Sequence, residues 1–520
     1  MKPILSIPLL LPGLLLPGEA QKPRQPNIIL FLVDDMGWQD TSVPFWNQKT
    51  PFNERYRTPN MVRLASQGIK FTQAYACTVS SPSRISLMTG MNAARHRVTN
   101  WTLQPNGSQE DKHPSLILPE WNTSGLSQDR ATPRSVYATP LPRILQENGY
   151  FTILCGKSHL GAIGMPGANP LNLGFNINIA GHAAGAPQTY QGLKNFGYDE
   201  NTVQGLTWGV PGLSKYHGKD INLTEALTLE AKIALDSAST TGKPFFLYMA
   251  HYAVHAPLER DSRFAGHYEG TGLPEPEIRY ASMVESMDKS LGDLMDYLES
   301  KHLTENTIII FMSDNGGLSV SARGGQPNIH NRPLASGKGS AYEGGIREPM
   351  IVKWPGVTHP SAVTAEPVII EDFFPTILEM AGIKSFRAVQ PIDGESFCRV
   401  LKTRNTDYKS VSASSRAFIW HFPNWWGPTG PGIGASSTIR LGDYKLIYYH
   451  ADQNFELFNI AADIGEVHNL IGEKPDIALK LAGILGDKLR SENAQMPEIR
   501  ESGLMVPWPD EAAKKQFTKR

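Results

Sequence analysis

Three continuous apolar, β-rich runs, each ending abruptly in polar residues, constrain this 520-residue chain more than any other feature. Asn27-Ile-Ile-Leu-Phe-Leu-Val33 stops at Asp34-Asp35, Phe245 to Ala250 leads into His251, and Thr307 to Met312 leads into Ser313-Asp-Asn-Gly-Gly317. A strand with one wet face alternates apolar and polar side chains. A run without alternation has both faces covered, as in a parallel sheet between layers of helices. Helical patterns lie between the runs: Thr58-Pro59 reads as a cap and first turn with a stop at Gly68, and Tyr280, Met283, Met287, Leu291, Leu294 and Leu298 fall at helical spacing. Strands alternating with helices predict an α/β domain with a large, mostly parallel sheet. Ligands of such sheets collect at the carboxyl ends of the strands, where both acidic motifs sit.

The character changes near residue 405. The stretch from 405 to 440 is rich in Ser, Gly, Pro and Trp and reads as irregular, whereas Tyr444-Lys-Leu-Ile-Tyr-Tyr449 and Glu456-Leu-Phe-Asn459 predict two strands of a small antiparallel sheet. Ala478, Leu481, Ile484, Leu485 and Leu489 then give a helix an apolar stripe. The expected organisation is a large α/β domain over 22–405, a smaller α+β subdomain over 410–500 and a polar, loosely ordered tail over 501–520.

At the N-terminus an apolar run from Ile4 to Leu16 precedes the small residues Gly18 and Ala20, the pattern of a signal peptide over 1–20. The run is shorter than the roughly 20 residues a membrane-spanning helix needs. The expectation is a soluble, exported protein. Lys+Arg 49 against Asp+Glu 50 leaves a net charge of -1, so global charge gives no case for nucleic acid or membrane, and an anionic ligand must be met by local positive charge. Three cysteines, Cys77, Cys155 and Cys398, are too few for a disulfide framework, although they leave room for one bridge.

Asp34, Asp35, Asp314 and Asn315 place hard oxygen donors at the ends of two predicted central strands. Three carboxylates so placed repel one another unless a cation sits among them, and oxygen donors without cysteine favour Ca²⁺ or Mg²⁺ over zinc. Either motif alone is an ordinary turn. Likewise Ser80-Ser-Pro-Ser-Arg84 alone is an ordinary helix start. Together they carry more information.

Val33-Asp-Asp-Met-Gly-Trp38, Ser80-Ser-Pro-Ser-Arg84, Gly156-Lys-Ser-His-Leu-Gly161, His251-Tyr-Ala-Val-His-Ala-Pro257, Ser313-Asp-Asn-Gly-Gly317 and Gly337-Lys-Gly-Ser-Ala-Tyr-Glu-Gly-Gly-Ile-Arg-Glu-Pro349 occur in the order found in type I sulfatases. The chain resembles that family over residues 25 to 400, and Arg440-Leu-Gly-Asp-Tyr-Lys-Leu446 is similar to its C-terminal subdomain. The resemblance implies an alkaline-phosphatase-like fold and hydrolysis of sulfate esters. It makes Ser80 the residue oxidised to Cα-formylglycine (3-oxoalanine) by a serine-type radical S-adenosylmethionine maturase. Cys77 is out of register, because Val79 stands where the element needs proline.

By the same resemblance Asp34, Asp35, Asp314 and Asn315, with the modified Ser80, hold one Ca²⁺, and Arg84, Lys157 and Lys338 are the fixed cations around sulfate. Lys157 and His159 hold a hydroxyl of the aldehyde hydrate, and His159 removes its proton so that the hemiacetal sulfate collapses. His255 and Lys338 serve the leaving oxygen. His251 is read as structural. One departure stands out: relatives carry Pro-Leu-Arg before the motif lysine, whereas here Pro333-Leu334 is followed by Ala335, with Arg332 on the other side.

For the substrate, the aromatic stretch Trp420 to Gly427 supplies His421, Asn424 and Trp425, and Trp101 and the His182-containing stretch Ala180-Gly-His-Ala-Ala-Gly185 are further candidates, since aromatic faces beside polar groups suit a sugar ring. The resemblance to bacterial polysaccharide-degrading enzymes implies a bacterial protein, periplasmic or secreted, and points to a sulfated glycan such as a glycosaminoglycan, with galactose or N-acetylgalactosamine sulfate foremost. Three alternatives stay open: an arylsulfatase acting on small phenols, a phosphomonoesterase or phosphodiesterase using unmodified Ser80, and a catalytically silent glycan binder.

Overall fold

The computed structural model describes residues 25–110, 112–404, 416–427 and 429–517; the apolar run at 4–16, expected as a signal peptide, and the expected domain boundary between 405 and 410 lie outside the described residues. Nine strands form the main sheet: β1 Asn27–Val33, β2 Ile69–Tyr75, β3 Phe151–Gly156, β4 Ile177–Ile179, β5 Phe245–Ala250, β6 Thr307–Ser313, β7 Arg347–Lys353, β8 Ala362–Thr364 and β9 Val368–Ile369. Their spatial order is β8-β2-β7-β6-β1-β5-β3-β4, and β9 pairs with β2 as well. β1 is central and runs parallel to β5 and β6, whereas β7 runs antiparallel to both of its neighbours. The fold is therefore the mixed, mostly parallel sheet that the apolar runs predict.

The unbroken apolarity of β1 has a direct cause. Ile28, Leu30 and Leu32 enter the core on one face, and Ile29, Phe31 and Val33 enter the core on the other. Each is at most 1% exposed, and burying such a side chain contributes about 2 kcal/mol. Helices close both faces. α1 Pro59–Gln67, α3 Leu223–Ser239 and α4 Glu275–Ser300 supply the second core, while α2 Ser80–Thr89 and α5 Phe373–Met380 supply the first. In α4 the apolar positions at helical spacing are all buried, and α1 begins after Thr58 and stops at Gly68 as read from the sequence.

The C-terminal part departs from expectation in two places. Its sheet has four antiparallel strands rather than two: β10 Ala417–Phe422, β11 Ser436–Leu441, β12 Tyr444–Tyr449 and β13 Phe455–Asn459. The stretch read as irregular thus contains β10, whose Phe418, Trp420 and Phe422 are buried. Nor is 501–520 a loose polar tail throughout. α7 Pro509–Phe517 buries Ala512 and Ala513 in the apolar cluster shared with α6 Pro475–Ser491, and Arg490 reaches Asp510 at 2.6 Å. Two alanines among charged residues give little sequence signal, yet they suffice for close helix contact. The two sheets are tied together, because Trp420 Nε1 donates to Ala76 O at 2.8 Å and Lys445 pairs with the buried Glu343 at 3.0 Å. The three cysteines are buried free thiols.

Candidate active site

One edge of the main sheet gathers the motifs. Asp34 and Asp35 follow β1, Lys157 and His159 follow β3, His255 follows β5, and Asp314 and Asn315 follow β6. Ser80 opens α2 beyond the end of β2. Lys338 precedes the antiparallel β7, which puts it at the same edge. Asp35 and His159 hold φ of 61° and 52°, the left-handed region that side-chain-bearing residues rarely adopt. Such strain concentrates where a side chain must be aimed.

Three carboxylates are matched by three cations. Lys157 Nζ lies 2.6 Å from Asp34 Oδ2, Lys338 Nζ 2.7 Å from Asp35 Oδ1, and Arg84 Nη2 2.8 Å from Asp314 Oδ2. Ser80 Oγ donates towards Asp34 Oδ1 at 3.2 Å and Asn315 Oδ1 at 3.0 Å, and Lys157 Nζ donates to Ser80 Oγ at 3.1 Å. Asn315 Nδ2 donates to Asp35 Oδ1 at 2.8 Å. Every one of these groups is at most 8% exposed. Burial pushes Asp34 up to about 7 and, against the pull of Asp34, pushes Lys157 down to about 8. Burial would also raise Asp35 and Asp314, but Lys338 and His255 hold the first below its ordinary value and Arg84 holds the second there.

These oxygens suit a hard divalent cation. The donor set is three carboxylates, one amide oxygen and one hydroxyl, and Asp34 is left under-compensated by its buried surroundings. Potential ligand atoms of Asp34, Asp35 and His255 lie within 4.8 Å of one another, while Arg84 engages Asp314. An imidazole nitrogen is a poor partner for Ca²⁺ or Mg²⁺, so the oxygen set is the better assignment. A divalent ion would turn a balanced cluster into one with two excess positive charges, which favours an anion.

The histidines differ in their free nitrogens. His159 Nε2 faces Thr102 O at 3.0 Å and Ser81 Oγ at 3.1 Å, which puts the proton on Nε2 and leaves buried Nδ1 as a lone pair without a partner among the described residues. His255 Nδ1 faces Ala256 O at 2.7 Å, so its neutral form has a bare Nε2, 3.7 Å from Asp35 Oδ2. Gly185 makes room for His159, since a Cβ there would lie 2.4 Å from His159 Cε1. Below Asp35 a second buried network braces the loop. Tyr280 donates to Asp35 O and to Asp40 Oδ2, and Arg323, fully buried, reaches Asp40 at 3.2 Å and Glu277 at 3.0 Å.

A cavity of about 240 Å³ opens over this cluster, lined by Ser80, Lys157, His159, His255 and Lys338 and walled by Trp101, Trp208 and Trp426. A larger surface cleft of about 740 Å³, beside Arg63, Lys353 and Trp354, lies at the opposite edge of the sheet and contains none of these groups. Of the predicted residues, Arg84 sits behind the cavity, donating to Asp314, Lys157 O and the Tyr248 hydroxyl. Among the five residues proposed for substrate, Trp101 alone lines the cavity. His421 is buried on β10, bonded to Ser437 and Gln495 O. Asn424 donates to Glu110, and Trp425 packs edge-on against His113. His182 packs against Tyr252. His251 is fully buried beside Ser290, in keeping with a structural role. Arg332, next to the altered Pro-Leu-Ala sequence, is exposed. Trp208 has no counterpart in the sequence reading; Gly185 closes the candidate stretch 180–185 and does line the cavity, and the Trp425-Trp426 pair signalled Trp426, but choosing between neighbours needs the backbone.

The sulfatase family profile matches residues 26–383, and an N-sulphoglucosamine sulphohydrolase C-terminal profile matches 337–494. A sulfatase of Formosa agariphila is 30% identical across 98% of this chain and 97% of its own length. The N-acetylgalactosamine-6-sulfatase of Mus musculus is 31% identical across 80% of this chain and 75% of its own. Among solved structures, Ps i-CgsB in complex with k-i-k-neocarrahexaose superposes with a TM-score of 0.69 at 26% identity, covering 95% of this chain and 98% of that one.

Proposed function

The chain belongs to the sulfatase family and is a sulfuric ester hydrolase, and from that premise we propose that it removes sulfate from a sulfated glycan, with galactose or N-acetylgalactosamine sulfate the foremost substrates. The observation that carries the reading is Ser80 Oγ within 3.1 Å of Lys157 Nζ, beside a buried acid cluster and beneath aromatic walls. The relatives named N-acetylgalactosamine-6-sulfatase support the sugar class.

Asp34, Asp35, Asp314, Asn315 and Ser80 would hold Ca²⁺, which supplies positive charge for a sulfate oxygen, while a formylglycine made from Ser80 supplies the attacking hydroxyl. The chain's own groups do the rest. Lys157 fixes the oxygen on residue 80 and keeps positive charge beside it. Arg84 aligns Asp314 with the backbone of Lys157 and so acts as a positioning group. His159 offers the free Nδ1 to take a proton, held in orientation by Thr102 O and Ser81. At the leaving oxygen the ammonium of Lys338 is the resting proton source. His255, with its hydrogen on the Ala256 side, becomes a donor only after protonation at Nε2. The apolar run at 4–16 supports export, and the serine in place of cysteine supports a radical S-adenosylmethionine maturase.

The test is peptide mass analysis of residue 80 in protein from its native host, together with sulfate release from a panel of galactose, N-acetylgalactosamine and glucosamine sulfates, a phenyl sulfate and a phosphate monoester. Loss of two hydrogens at Ser80 with sulfate released from a sugar is the expected result. Unmodified Ser80 in protein that cleaves the phosphate ester refutes it.

A further inference from the structure

We infer that Trp101, Trp208 and Trp426 form an aromatic wall that takes one chain-terminal ring of the substrate by its faces, which rests on the sulfatase reading above and adds what the alcohol side must be. Apart from the five groups that serve sulfate, the described lining of the cavity is Val79, Trp101, Gly185, Ala186, Trp208 and Trp426. None of these carries a charge or a hydroxyl. A sugar held there is recognised chiefly through its CH faces, which stack on indole, and the cavity of about 240 Å³ is below the roughly 300 to 1,000 Å³ usual for larger ligands. It has space for one ring and its sulfate, and the remaining saccharide must leave through the mouth.

The wall is built rather than incidental. Its members come from three distant segments of the chain. Trp426 lies against the backbone of Gly339, where a Cβ would fall 2.2 Å from the indole, and its ring centroid is 6.0 Å from Lys338 Nζ. The aromatic face is therefore fixed to the residue that meets the leaving oxygen. Glu110 joins two of the segments: one carboxylate oxygen accepts from Asn100 Nδ2 at 3.1 Å and from Trp425 N at 2.7 Å, while the other accepts from Asn424 Nδ2 at 2.9 Å. Asn100 in turn accepts from Trp101 N through its side-chain oxygen. Trp208 ends the short helix Val203–Trp208, capped by Thr202, and its carbonyl accepts from Gln188 N at 2.9 Å. Glu110 is accordingly a positioning residue.

The experiment compares matured wild type with Trp208→Ala, Trp426→Ala, Trp426→Phe and Glu110→Gln. The probes are N-acetylgalactosamine 6-sulfate, galactose 6-sulfate and an oligosaccharide whose only sulfate is on an internal galactose. The alanine variants should raise KM for the better monosaccharide roughly 10- to 100-fold, the scale on which a buried aromatic anchor matters, with kcat little changed. Phe should recover most of the loss, Glu110→Gln should raise KM less, and inhibition by inorganic sulfate should stay at the wild-type level. The internally sulfated oligosaccharide should be at least about tenfold poorer in kcat/KM than the terminal ring. KM unmoved by alanine, or equal hydrolysis of the internal sulfate, overturns the proposal. If wild type releases sulfate from nothing, the sulfatase reading fails instead. The wall is then judged by tryptophan fluorescence: quenching by the monosaccharide sulfates that disappears in the Trp208→Ala, Trp426→Ala double variant supports it, and no quenching overturns it.

Discussion

Gly185→Ala should cripple turnover while leaving the fold intact. The new Cβ would stand 2.4, 2.6 and 2.8 Å from three atoms of the His159 ring, against ordinary contacts of 3.4 Å or more. The ring must therefore move by about 1 Å, and it cannot do so without losing the Nε2 contacts to Thr102 O and Ser81 Oγ at 3.0 and 3.1 Å. A displacement of that size at a proton-transfer group costs about 100-fold in kcat, or about 2.7 kcal/mol. Gly185 does not occupy the left-handed region, so no backbone strain is added, and overpacking costs about 1 to 3 kcal/mol of stability. The assay is a double-mutant cycle with His159→Ala on matured protein, measuring kcat and the melting temperature of each member. Once the imidazole is removed, adding Gly185→Ala should cost almost nothing further. A Gly185→Ala variant with wild-type kcat, or effects that simply multiply in the double variant, would refute the argument that Gly185 exists to seat His159.

Arg323→Met should lower stability by about 3 to 5 kcal/mol in a denaturant titration, because Asp40 is left buried without its cation and Glu277 keeps only the part-exposed Arg55. Burial alone would raise Glu277, but Arg323 holds it down at about 2. Its contribution is full above about pH 4.5 and is lost as pH falls through about 2, an integral of about 3 kcal/mol. The acid-unfolding limb of wild type should thus lie at lower pH than that of Arg323→Met, and coincident limbs would contradict the assignment. Prolonged chelation should abolish sulfate release and lower the melting temperature, with Ca²⁺ restoring both; a chelated enzyme of full activity would remove the metal from the scheme. Lys338→Met should slow alkyl sulfate esters by about 10²- to 10⁴-fold but phenyl sulfate much less, since a phenolate needs little help in leaving. Equal losses on both esters would argue against a proton-donor role.

The legible parts of this chain are those in which one short stretch carries its own context. β1 could be read because burial on both faces removes the polar half of the strand code, and the acidic ends followed from it. The motif residues could be read because each sits in a contiguous signature. β10 was hidden by its setting between turn-rich stretches and by a partner strand, β11, composed of Ser and Thr at Ser436, Ser437 and Thr438. The choice between Trp425 and Trp426 is a question of which way each side chain turns, and composition cannot answer it. His421 looked like a sugar ligand because polar and aromatic neighbours suggest one, yet Ser437 and the Gln495 carbonyl satisfy both ring nitrogens inside the C-terminal sheet. Trp208 has no local signal at all, since its place depends on how the segment around 192–216 folds back over the sheet edge.

All ten residues of α2, Ser80 through Thr89, are buried, and Ser80 itself is 3% exposed. If Ser80 is the residue oxidised, as proposed above, a modifying enzyme could reach its backbone only before α2 packs, because a helix buried over its whole length offers no free stretch of chain in the folded protein. On that reading a chain that closed over an unaltered serine would keep it, and the active share of a preparation would record a race between modification and folding.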